Sequence, residues 1–550
     1  MSIRFIIIVS LSLSILSACS TALIENPKNT ILNDSIFEIV VFPHHGITGK
    51  KIDASYEKLR MQYSQFDRIV ILSPDHYGTT KNNIESLPNS VNQVCYTGHC
   101  VSWIWLSPYS DTVTTGGAFS DSWETYEHGI GEHILRIQTY FPWVPVTPII
   151  LQRELIPTKQ GIVLANTLAN LHEKRVLIIV SVDFSHHVRE DFARLHDMKT
   201  IDTLNTGTLD DFANIEVDCR NCLAVGRLTA IARGKPVFDL WDRTSVDTLI
   251  WSGSEIENTS HIFWTFRGSG ANTSSGIFLF AGDAHWARGF SAYENKNPNY
   301  FQTVLRTLYQ KYNPSNDPRT SYHRLFAGFD DVVINLESAV ADTGSCPKSG
   351  KPTQMSTDPK IFTKLSALGI SMANIANNHS HDCGTKLFKE SMEKIGSWGI
   401  IPFWYDTIAF RHIRGNNFAF IGIDTIEDSP DLAKINKTIQ SLTASGYLTI
   451  VNIHWWIEYD SKHGLTQARI AHALVDAGAR LIIGHHPHVI QDSVIYRWIP
   501  IYYSLGNFLF DQPMPETLEW LLVGCEISPM STICHDIPVY HDPKNYIIRF

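Results

Sequence analysis

The segment ARLIIGHHPHVI, residues 479–490, is the feature that most constrains the fold and the function of this chain. Its short apolar run, rich in β-branched residues, predicts a buried strand. The strand ends at a glycine, after which come His485, His486 and His488. In open α/β sheets, ligands bind where the carboxyl ends of strands open into a crevice. A histidine-rich strand end is therefore a candidate ligand site.

The same pattern recurs between residues 277 and 507. Each apolar run predicts a strand, and most of the runs end in Asp, Glu, Asn or His. The predicted strands are GIFLFAGD, DVVINLE, ISMANIANNH, FAFIGID, YLTIVNIHWW, RLIIGHH and PIYYSLGN. Helical periodicity separates several of them, as in FKESMEKIGSWG and TQARIAHALVDAG, so this region is predicted to be an α/β domain.

A second set of apolar runs lies nearer the amino terminus and alternates with helical patterns such as KQGIVLANTLANLHEK. These runs are FEIVVFPHHG, DRIVILSPDH, VTPIILQ and KRVLIIVSVDFSHH, and they predict another α/β domain. The stretch RGSGANTSSG, residues 267–276, has the composition of a linker. Because 550 residues are too many for one core, we predict domains at 37–266 and 277–512, followed by a tail at 513–550.

The amino terminus, MSIRFIIIVSLSLSILSACS, has one arginine before a short apolar run. It predicts a secretory signal at residues 1–19 with a bacterial lipobox, in which Cys19 is lipidated and becomes the first mature residue. Residues 20–36 would then be a polar tether. The alternative is an ordinary signal peptide. Either signal exports the chain, and lipidation would anchor it to a membrane of the bacterial cell envelope.

The composition argues against nucleic acid as a partner. The formal net charge is −10, the pI is about 6.2, and lysine and arginine form no cluster. Hydrophobic residues make up 44% of the chain and charged residues 18%, which is typical of a well-packed globular protein. No segment after the signal predicts a transmembrane helix.

Cysteine usage agrees with export. Besides Cys19 the chain has eight cysteines, and an even count in an exported chain favours disulfides. Pairing of sequence neighbours is a hypothesis, because sequence cannot fix the connectivity. The neighbouring pairs are Cys95 with Cys100, Cys219 with Cys222, Cys346 with Cys383, and Cys525 with Cys534.

The polar residues at the strand ends of the second region predict a metal site. They are Asp283, His285, Glu337, Asn378, His379, His454, His486 and His488. Carboxylate, amide and imidazole ligands together suit zinc, manganese or iron better than calcium. Two metals that share a bridging carboxylate can activate water and polarise a phosphoryl oxygen, so the set predicts a hydrolytic site. The alternative is that the histidines are merely hydrogen-bonded core residues.

These residues lie in motifs that resemble the CapA family of capsule and poly-γ-glutamate biosynthesis proteins, a family similar to calcineurin-like metallophosphoesterases. The motifs are GDAHWARG, NLES, LGISMANIANNHSHDCG, HWWIEYD, DAGARLIIGHHPHVIQ and IYYSLGNFLFDQ. The resemblance implies a metallophosphoesterase-like αββα sandwich that holds two metal ions. Its metal ligands would be Asp283, His285, Glu337, Asn378, His454, His486 and His488.

The resemblance also implies further roles. Asp283 and His379 would be catalytic, with His379 acting as an acid or a phosphate-binding group, and Arg288 would hold an anionic substrate. Asn507 would either bind substrate or be a turn residue. Two departures are visible. Glu337 stands where metallophosphoesterases generally have a bridging aspartate, and Trp456 stands where the family usually has glycine, two residues after His454.

Strand ends in the first region predict a second metal site. The candidates are His44, His76, Asp183 and His186, with Glu127, His128 and His133 in EHGIGEH. Histidines on separate strand ends can form a facial site with a carboxylate or thiolate as a further ligand. The alternative is that these histidines are ordinary polar groups at strand ends.

The motifs of this region resemble the Memo-like family, known in bacteria as AmmeMemoRadiSam system protein B, whose fold is similar to that of class III extradiol dioxygenases. The resemblance implies an iron or copper site lined by His44, His76, His186 and Cys219. Arg220 replaces a usual glycine, and EHG replaces the usual EHS. Cys219 has a second interpretation, because in an exported protein it can instead form a disulfide with Cys222.

Together these features predict a cell-envelope lipoprotein that acts on an anionic extracellular polymer, or with the machinery that makes or exports it. In that prediction the CapA-like region is a metal-dependent hydrolase of phosphoester-like linkages. Two alternatives remain: a non-catalytic subunit that binds the polymer or a complex, and a metal-binding or redox role of the Memo-like region. A fold alone does not decide among them.

Overall fold

The computed structural model describes residues 36–76, 84–86, 93–96, 99–102, 127–153, 159–186, 188–250, 258–269, 274–286, 288–296, 326, 328–342, 344–348, 350–351, 353–427, 431–542 and 547–549. The predicted signal, with Cys19, lies outside the described residues. Within the described ranges, no helix is long and apolar enough to cross a bilayer.

The secondary structure follows the predicted alternation. The strands are β1 (Ile36–Phe42), β2 (Arg68–Pro74), β3 (Ile84–Ser86), β4 (Gln93–Tyr96), β5 (His99–Ser102), β6 (Val146–Leu151), β7 (Arg175–Ser181), β8 (Val237–Ser245), β9 (Ser260–Arg267), β10 (Gly276–Ala284), β11 (Asp331–Leu336), β12 (Ala339–Val340), β13 (Ser356–Thr357), β14 (Met372–Asn374), β15 (Ile401–Phe403), β16 (Ala409–Ile413), β17 (Asn416–Asp424), β18 (Tyr447–His454), β19 (Ala479–His485), β20 (Ser493–Tyr496), β21 (Ile499–Tyr502), β22 (Glu519–Ile527), β23 (Thr532–Asp542) and β24 (Ile547–Arg549). The helices are α1 (Gly49–Gln62), α2 (His128–Tyr140), α3 (Lys159–Ala169), α4 (Glu190–Thr206), α5 (Arg220–Ala232), α6 (Val246–Ile250), α7 (Arg288–Lys296), α8 (Phe362–Ala367), α9 (Thr385–Ser397), α10 (Leu432–Ala444) and α11 (Leu465–Asp476).

The chain forms two compact units, each built from more than one segment. The first unit contains the described residues up to 183, together with 218–243 and 262–271. The second contains 184–217 and 244–261 as well as everything from 272 onward. The sequence indicates one boundary at 267–276, whereas packing assigns two earlier segments to the second unit.

The first unit is built on a seven-stranded sheet in the order β3-β6-β2-β7-β1-β9-β8, in which β6, β2, β7 and β1 run parallel. These parallel strands are almost entirely buried, which explains their continuous apolar sequences. Helices α1 and α2 cover one face through Tyr56 and Ile134. On α5, Gly226 allows close packing on β7, because a Cβ there would lie 2.7 Å from Val180 Cγ2.

The second unit contains two packed sheets. One has the order β15-β14-β11-β10-β22-β23-β24 and the other β16-β17-β18-β19-β21-β20. Side chains of both sheets, such as Phe278 and Phe418, meet in a shared apolar core. Helices α10 and α11 cover the second sheet, and α8 and α9 cover the first. This arrangement confirms the predicted αββα sandwich.

The segments 184–217 and 513–550 complete this sandwich. Helix α4 buries Phe192 and Leu195 against the face of the first sheet that points away from the second sheet. Leu279 of β10 belongs to the same hydrophobic cluster. The tail, which has no clear periodicity in the sequence, supplies β22 as an antiparallel partner of β10. Its run WLLVGCEI lacks alternation because β22 is buried on both faces.

Three of the four hypothesised disulfides are confirmed. They join Cys219 to Cys222, Cys346 to Cys383, and Cys525 to Cys534. The backbones of Cys95 and Cys100 are register partners in the β4–β5 hairpin, and their side chains lie outside the described part of the chain.

Candidate metal centres

The strand ends of the second unit bring most of its predicted ligands together. These are Asp283 at the end of β10, Glu337 directly after β11, Asn378 after β14, His454 at the end of β18, and His486 and His488 in the turn after β19. β10, β11 and β14 run parallel in one sheet, and β18 and β19 run parallel in the other. The carboxyl ends of parallel strands meet at one edge of each sheet, so the polar side chains converge there.

Glu337 lies at the centre of this cluster and belongs to two groups of ligand atoms. One group is Glu337 with His454 and His486, the other is Glu337 with Asp283 and His488, and the atoms of each lie within 4.8 Å of one another. Glu337 Oε1 is 3.7 Å from His454 Nε2 and 3.8 Å from His488 Nε2. One carboxylate shared by two groups can bridge two metal ions.

The electrostatics of the two carboxylates fit a cation. Glu337 is fully buried, and neither of its oxygens has a hydrogen-bond partner. Burial, reinforced by the charge of Asp283, raises the pKa of Glu337 well above its usual range. Burial acts in the same direction on Asp283, but hydrogen bonds from His485 and His488 outweigh it and hold the pKa of Asp283 well below its usual range. A buried carboxylate without a partner is costly unless a cation lies beside it.

Two imidazoles of this cluster, those of His454 and His486, have lowered pKa values, which favours the neutral form that a metal ligand needs. Burial, followed by the neighbouring His486, lowers the pKa of His454 well below its usual range. Burial and His488 lower the pKa of His486 to about 3. Because His486 Nδ1 is 3.1 Å from His454 Nε2, protonating both rings would place two positive charges side by side.

The backbone at His486 and His488 is strained in order to place these rings. Their φ angles are 91° and 59°, in the left-handed region that residues other than glycine rarely adopt. The His486 N–H donates to Asp283 Oδ2 at 3.0 Å, which helps to hold the turn. Such strain costs on the order of 1–3 kcal/mol per residue and is concentrated at functional sites.

The structure adds residues that the sequence did not single out. Asn335 donates to Asp283 Oδ1 at 2.7 Å, and its Nδ2 also lies 3.3 Å from His454 Nδ1. Glu458 Oε1 is 3.9 Å from His486 Nε2. Asn335 could have been found, because it lies two residues before Glu337 in NLES and therefore on the same face of the strand.

Three residues of the predicted set lie beside the ligand groups instead of within them. His285 Nε2 contacts Asp511 Oδ1 at 2.9 Å, and Arg288 donates to the same oxygen at 2.6 Å. Asn507 Oδ1 contacts His488 Nδ1 at 2.9 Å. This geometry orients His488 through Asn507 and fixes Asp511 between a buried imidazole and a guanidinium that is 42% exposed.

Two other predicted neighbours of the cluster are also placed. Asn378 Oδ1 lies 2.9 Å from His454 Nε2, the ring nitrogen that also faces Glu337. Trp456 is 37% exposed, and its ring meets that of the buried Trp455 edge-on.

The first unit contains a separate cluster at the ends of β1, β2 and β7. One group is His44 with His76 and His128, and another is His44 with Asp183 and Asp218, each with ligand atoms within 4.8 Å. Asp218 Oδ2 lies 3.2 Å from His44 Nε2 and 3.6 Å from His76 Nε2. Imidazoles and carboxylates thus converge on one point.

The charges in this cluster are strongly coupled. Burial lowers the pKa of His76, but hydrogen bonds to Asp218 and Glu127 outweigh it and raise the pKa to about 9. Burial, followed by the charges of His76 and His44, lowers the pKa of His128 to about 4. Asp218 is buried, and its Oδ2 lies close to the rings of both His44 and His76. A cation beside Asp218 would relieve this arrangement.

Two predicted ligands of the first region need correction. Cys219 forms a disulfide with Cys222, so it has no thiolate to offer a metal. Asp218, directly before it, faces the histidines instead, because successive side chains of an extended segment point in opposite directions. His186 packs with the second unit, where it pairs with Thr259, and belongs to no ligand group among the described residues.

Comparison with known families agrees with this division. The model of the family "Bacterial capsule synthesis protein PGA_cap" matches residues 277–403 and 411–512, and the model of the family "Memo-like protein" matches residues 16–224. The chain joins a Memo-like domain to a PGA_cap domain. The PGA_cap domain holds the cluster around Glu337, and the Memo-like domain holds the cluster around Asp218.

Curated relatives match part of this chain. "Capsule biosynthesis protein CapA" of Bacillus anthracis is 31% identical over 235 residues, which are 38% of this chain and 57% of that protein. "PGA biosynthesis protein CapA" of Bacillus subtilis is 27% identical over 229 residues, 38% of this chain and 60% of that protein. A probable polyglutamine synthesis accessory protein of Mycobacterium tuberculosis is 24% identical over 213 residues, 33% of this chain and 56% of that protein. The chain therefore spans less than two thirds of each of these relatives.

The family matches and the packing units differ at two places. The Memo-like match includes residues 184–217, which pack with the PGA_cap domain. The PGA_cap match ends at residue 512, whereas its first sheet continues through β22 and β23. The second compact unit is therefore larger than the PGA_cap match.

Proposed function

We propose that the PGA_cap domain is a metal-dependent hydrolase of a phosphoester-like linkage, acting in the synthesis or export of an anionic extracellular polymer of capsule or poly-γ-glutamate type. The observation that carries this proposal is Glu337, a buried carboxylate without a hydrogen-bond partner that belongs to two groups of ligand atoms. The names of the CapA relatives support the polymer class.

At such a site, bound divalent ions lower the pKa of a water molecule and polarise a phosphoryl oxygen. Zinc, manganese and iron all suit the imidazole and carboxylate donors present. Asp283, Glu337, Asn378, His454, His486 and His488 would hold the ions, with Asn335 and Asn507 orienting their side chains. Arg288, beside Asp511 and partly exposed, would bind the anionic part of the substrate.

His379 would supply the proton that the leaving group needs. Its Nδ1 lies 2.7 Å from Asp382 Oδ2, which leaves Nε2 to act as the donor. As the bond between phosphorus and the leaving oxygen breaks, that oxygen takes the proton from Nε2. The donating ring is the imidazolium, which carries a proton on each nitrogen and becomes neutral imidazole. The oxygen of water forms the new bond to phosphorus, and the proton that water releases returns to Nε2 through solvent and restores the imidazolium.

The location of this activity is part of the proposal. A lipid on Cys19 would anchor the exported chain to a membrane of the cell envelope, where an extracellular polymer is accessible. The confirmed disulfides agree with an oxidising compartment outside the cytoplasm.

Metal analysis tests the hydrolase proposal. Residues 20–550, purified without added metal or a histidine tag, should contain about two equivalents of metal in the PGA_cap domain. His486→Ala should lose this metal and the hydrolysis of bis(p-nitrophenyl) phosphate, because one ligand group loses a nitrogen. His412→Ala, a change of an exposed histidine in the same domain, is the control. Unchanged metal content and turnover in His486→Ala would refute the proposal.

We also propose that the Memo-like domain binds iron or copper through His44, His76, His128 and Asp218. Buried Asp218, lying between His44 and His76, favours this second function. Imidazole and carboxylate ligands suit both metals: such sets are common for non-haem iron, whereas the intrinsic affinity of a nitrogen and oxygen site rises from iron to copper.

Asp218→Asn should weaken metal binding by the Memo-like domain more than about tenfold, because a neutral amide replaces the charged ligand. The double variant Cys219→Ser and Cys222→Ser should retain the metal, because the disulfide holds both sulfurs away from it. Elemental analysis in a His486→Ala background isolates this site. Loss of metal in the serine variant with retention in Asp218→Asn would show that the cysteine is the ligand instead.

A further inference from the structure

Asp382 connects His379 to a lysine that the proposed reaction does not otherwise use. The Asp382 side chain is completely buried, and its Oδ2 accepts from Met355 N at 2.7 Å as well as contacting His379. Its other oxygen, Oδ1, lies 2.9 Å from Lys351 Nζ. The two oxygens of one carboxylate are thus divided between an imidazole and an ammonium group.

Lys351 also contacts the backbone that carries the candidate ligands. Its Nζ donates to Asn378 O at 2.8 Å and pairs with Glu427. Lys351 therefore contacts the NNHSHDC loop, residues 377–383, at both sides of His379, once through a carbonyl and once through Asp382. Because the Lys351 side chain is only one-third exposed, these contacts are partly shielded from water.

The segment that carries Lys351 is fastened to the same loop. The disulfide between Cys346 and Cys383 joins it to the residue next to Asp382. The Gln354 amide donates to Asp382 O at 2.8 Å. Ordering a lysine costs both side-chain and backbone conformational entropy. The disulfide and the Gln354 hydrogen bond already restrain the backbone of this segment, so less entropy is lost when Lys351 pairs with Asp382.

We propose that Lys351 is a positioning residue, which fixes Asp382 and through it holds the imidazole of His379 in the orientation that delivers a proton to the leaving group. This inference rests on the proposed hydrolase function. Without the ammonium, Asp382 Oδ1 would be buried without a charged partner, and the carboxylate would turn away from His379 to find another donor.

Leaving-group dependence tests the proposal in the metal-loaded protein. Methyl phenyl phosphate needs a proton on its leaving oxygen, whereas methyl p-nitrophenyl phosphate releases a stable anion without one. Lys351→Met should lower kcat on the first substrate about 10–100-fold and on the second less than about threefold. Lys351→Arg should retain most of the wild-type kcat on methyl phenyl phosphate, because arginine keeps the positive charge.

Lys394→Met is the matched control, since Lys394 forms a similar partly exposed pair with Asp342 at 2.9 Å in the same unit. It should leave both substrates unaffected. An equal loss on both substrates in Lys351→Met, or no loss on either, would overturn the positioning role.

A readout without turnover separates this inference from the proposed function. In metal-free protein labelled with ¹⁵N-histidine, at a pH high enough that the His379 ring carries a single proton, the long-range ¹H–¹⁵N spectrum should show that proton on Nδ1 in the wild type and in Lys394→Met, and a mixture of tautomers in Lys351→Met. If the wild type hydrolyses neither substrate but the tautomers change in this way, the hydrolase proposal fails, and what stands is that Lys351 orients the imidazole of His379 through Asp382. An unchanged spectrum in a folded Lys351→Met variant would refute the positioning role.

Discussion

Glu337→Gln is expected to abolish metal binding in the PGA_cap domain and, in the same molecule, to stabilise the metal-free protein. The variant removes the carboxylate shared by the two ligand groups, so both ions lose an anionic ligand. It also removes a buried carboxyl group whose oxygens have no hydrogen-bond partner and whose ionisation is therefore costly. A buried charge without a partner is costly, so the neutral amide of similar volume should stabilise the metal-free protein at pH values where Glu337 would otherwise ionise.

The sign of the pH dependence follows from the pKa of Glu337. Burial and the charge of Asp283 raise this pKa above its value in the unfolded chain. Between the two pKa values the folded metal-free protein binds a proton that the unfolded protein does not, so its stability falls as the pH rises through this range. Glu337→Gln should remove this part of the pH dependence. The gain in free energy of unfolding over the metal-free wild type should therefore be largest at the highest pH of this range.

Elemental analysis and denaturant unfolding at a series of pH values check these expectations. Glu390→Gln is the control, because Glu390 forms only a surface pair with Lys386 at 4.0 Å. A Glu337→Gln variant that keeps its metal would show that Glu337 is a structural core residue. A metal-free variant less stable than the metal-free wild type would show that the carboxylate has a partner.

Leu195→Asp should destabilise the second compact unit although residue 195 lies within the Memo-like match. Leu195 on α4 is 1% exposed and belongs to the core outside the first sheet. A Cβ added at Gly524 of β22 would lie 2.2 Å from Leu195 Cδ1, so leucine and glycine pack in direct contact. Removing a buried leucine side chain costs about 2–5 kcal/mol, and burying a carboxylate adds to this cost.

Limited proteolysis and the metal content of the PGA_cap domain measure this effect. The control is Arg194→Asp, which introduces an aspartate at the neighbouring exposed position of α4. It should change the free energy of unfolding by less than about 1 kcal/mol. If Leu195→Asp leaves the second unit as resistant to protease as Arg194→Asp does, α4 is not part of its core.

Much of the architecture could be predicted from local patterns. The apolar runs that become β1, β2, β7, β10 and β19 are buried strands, and buried parallel strands need an almost continuous apolar sequence. The polar residue at each strand end could also be identified from the sequence, because it interrupts the apolar run. This is why Glu337 and His486 could be recognised as neighbours in space although they are far apart in the chain.

Other features depend on the direction in which a side chain points. The sequence analysis singled out Cys219 and did not consider its neighbour Asp218, although a carboxylate and a thiolate can both bind metals. The fold decides by turning Asp218 toward His44 and linking Cys219 to Cys222. For Asn335, the strand alternation indicates the same face as Glu337, and the structure adds its contact with Asp283.

The sequence by itself predicted two α/β regions and most of the strand-end residues that converge in each unit, and it offered the pairing of neighbouring cysteines as a hypothesis. Only the tertiary structure decided that α4 and β22 complete the second unit, and that one carboxylate, Glu337, is shared by two ligand groups. The physical reason is that periodicity records whether a residue is buried, whereas the partner that buries it is set by long-range packing.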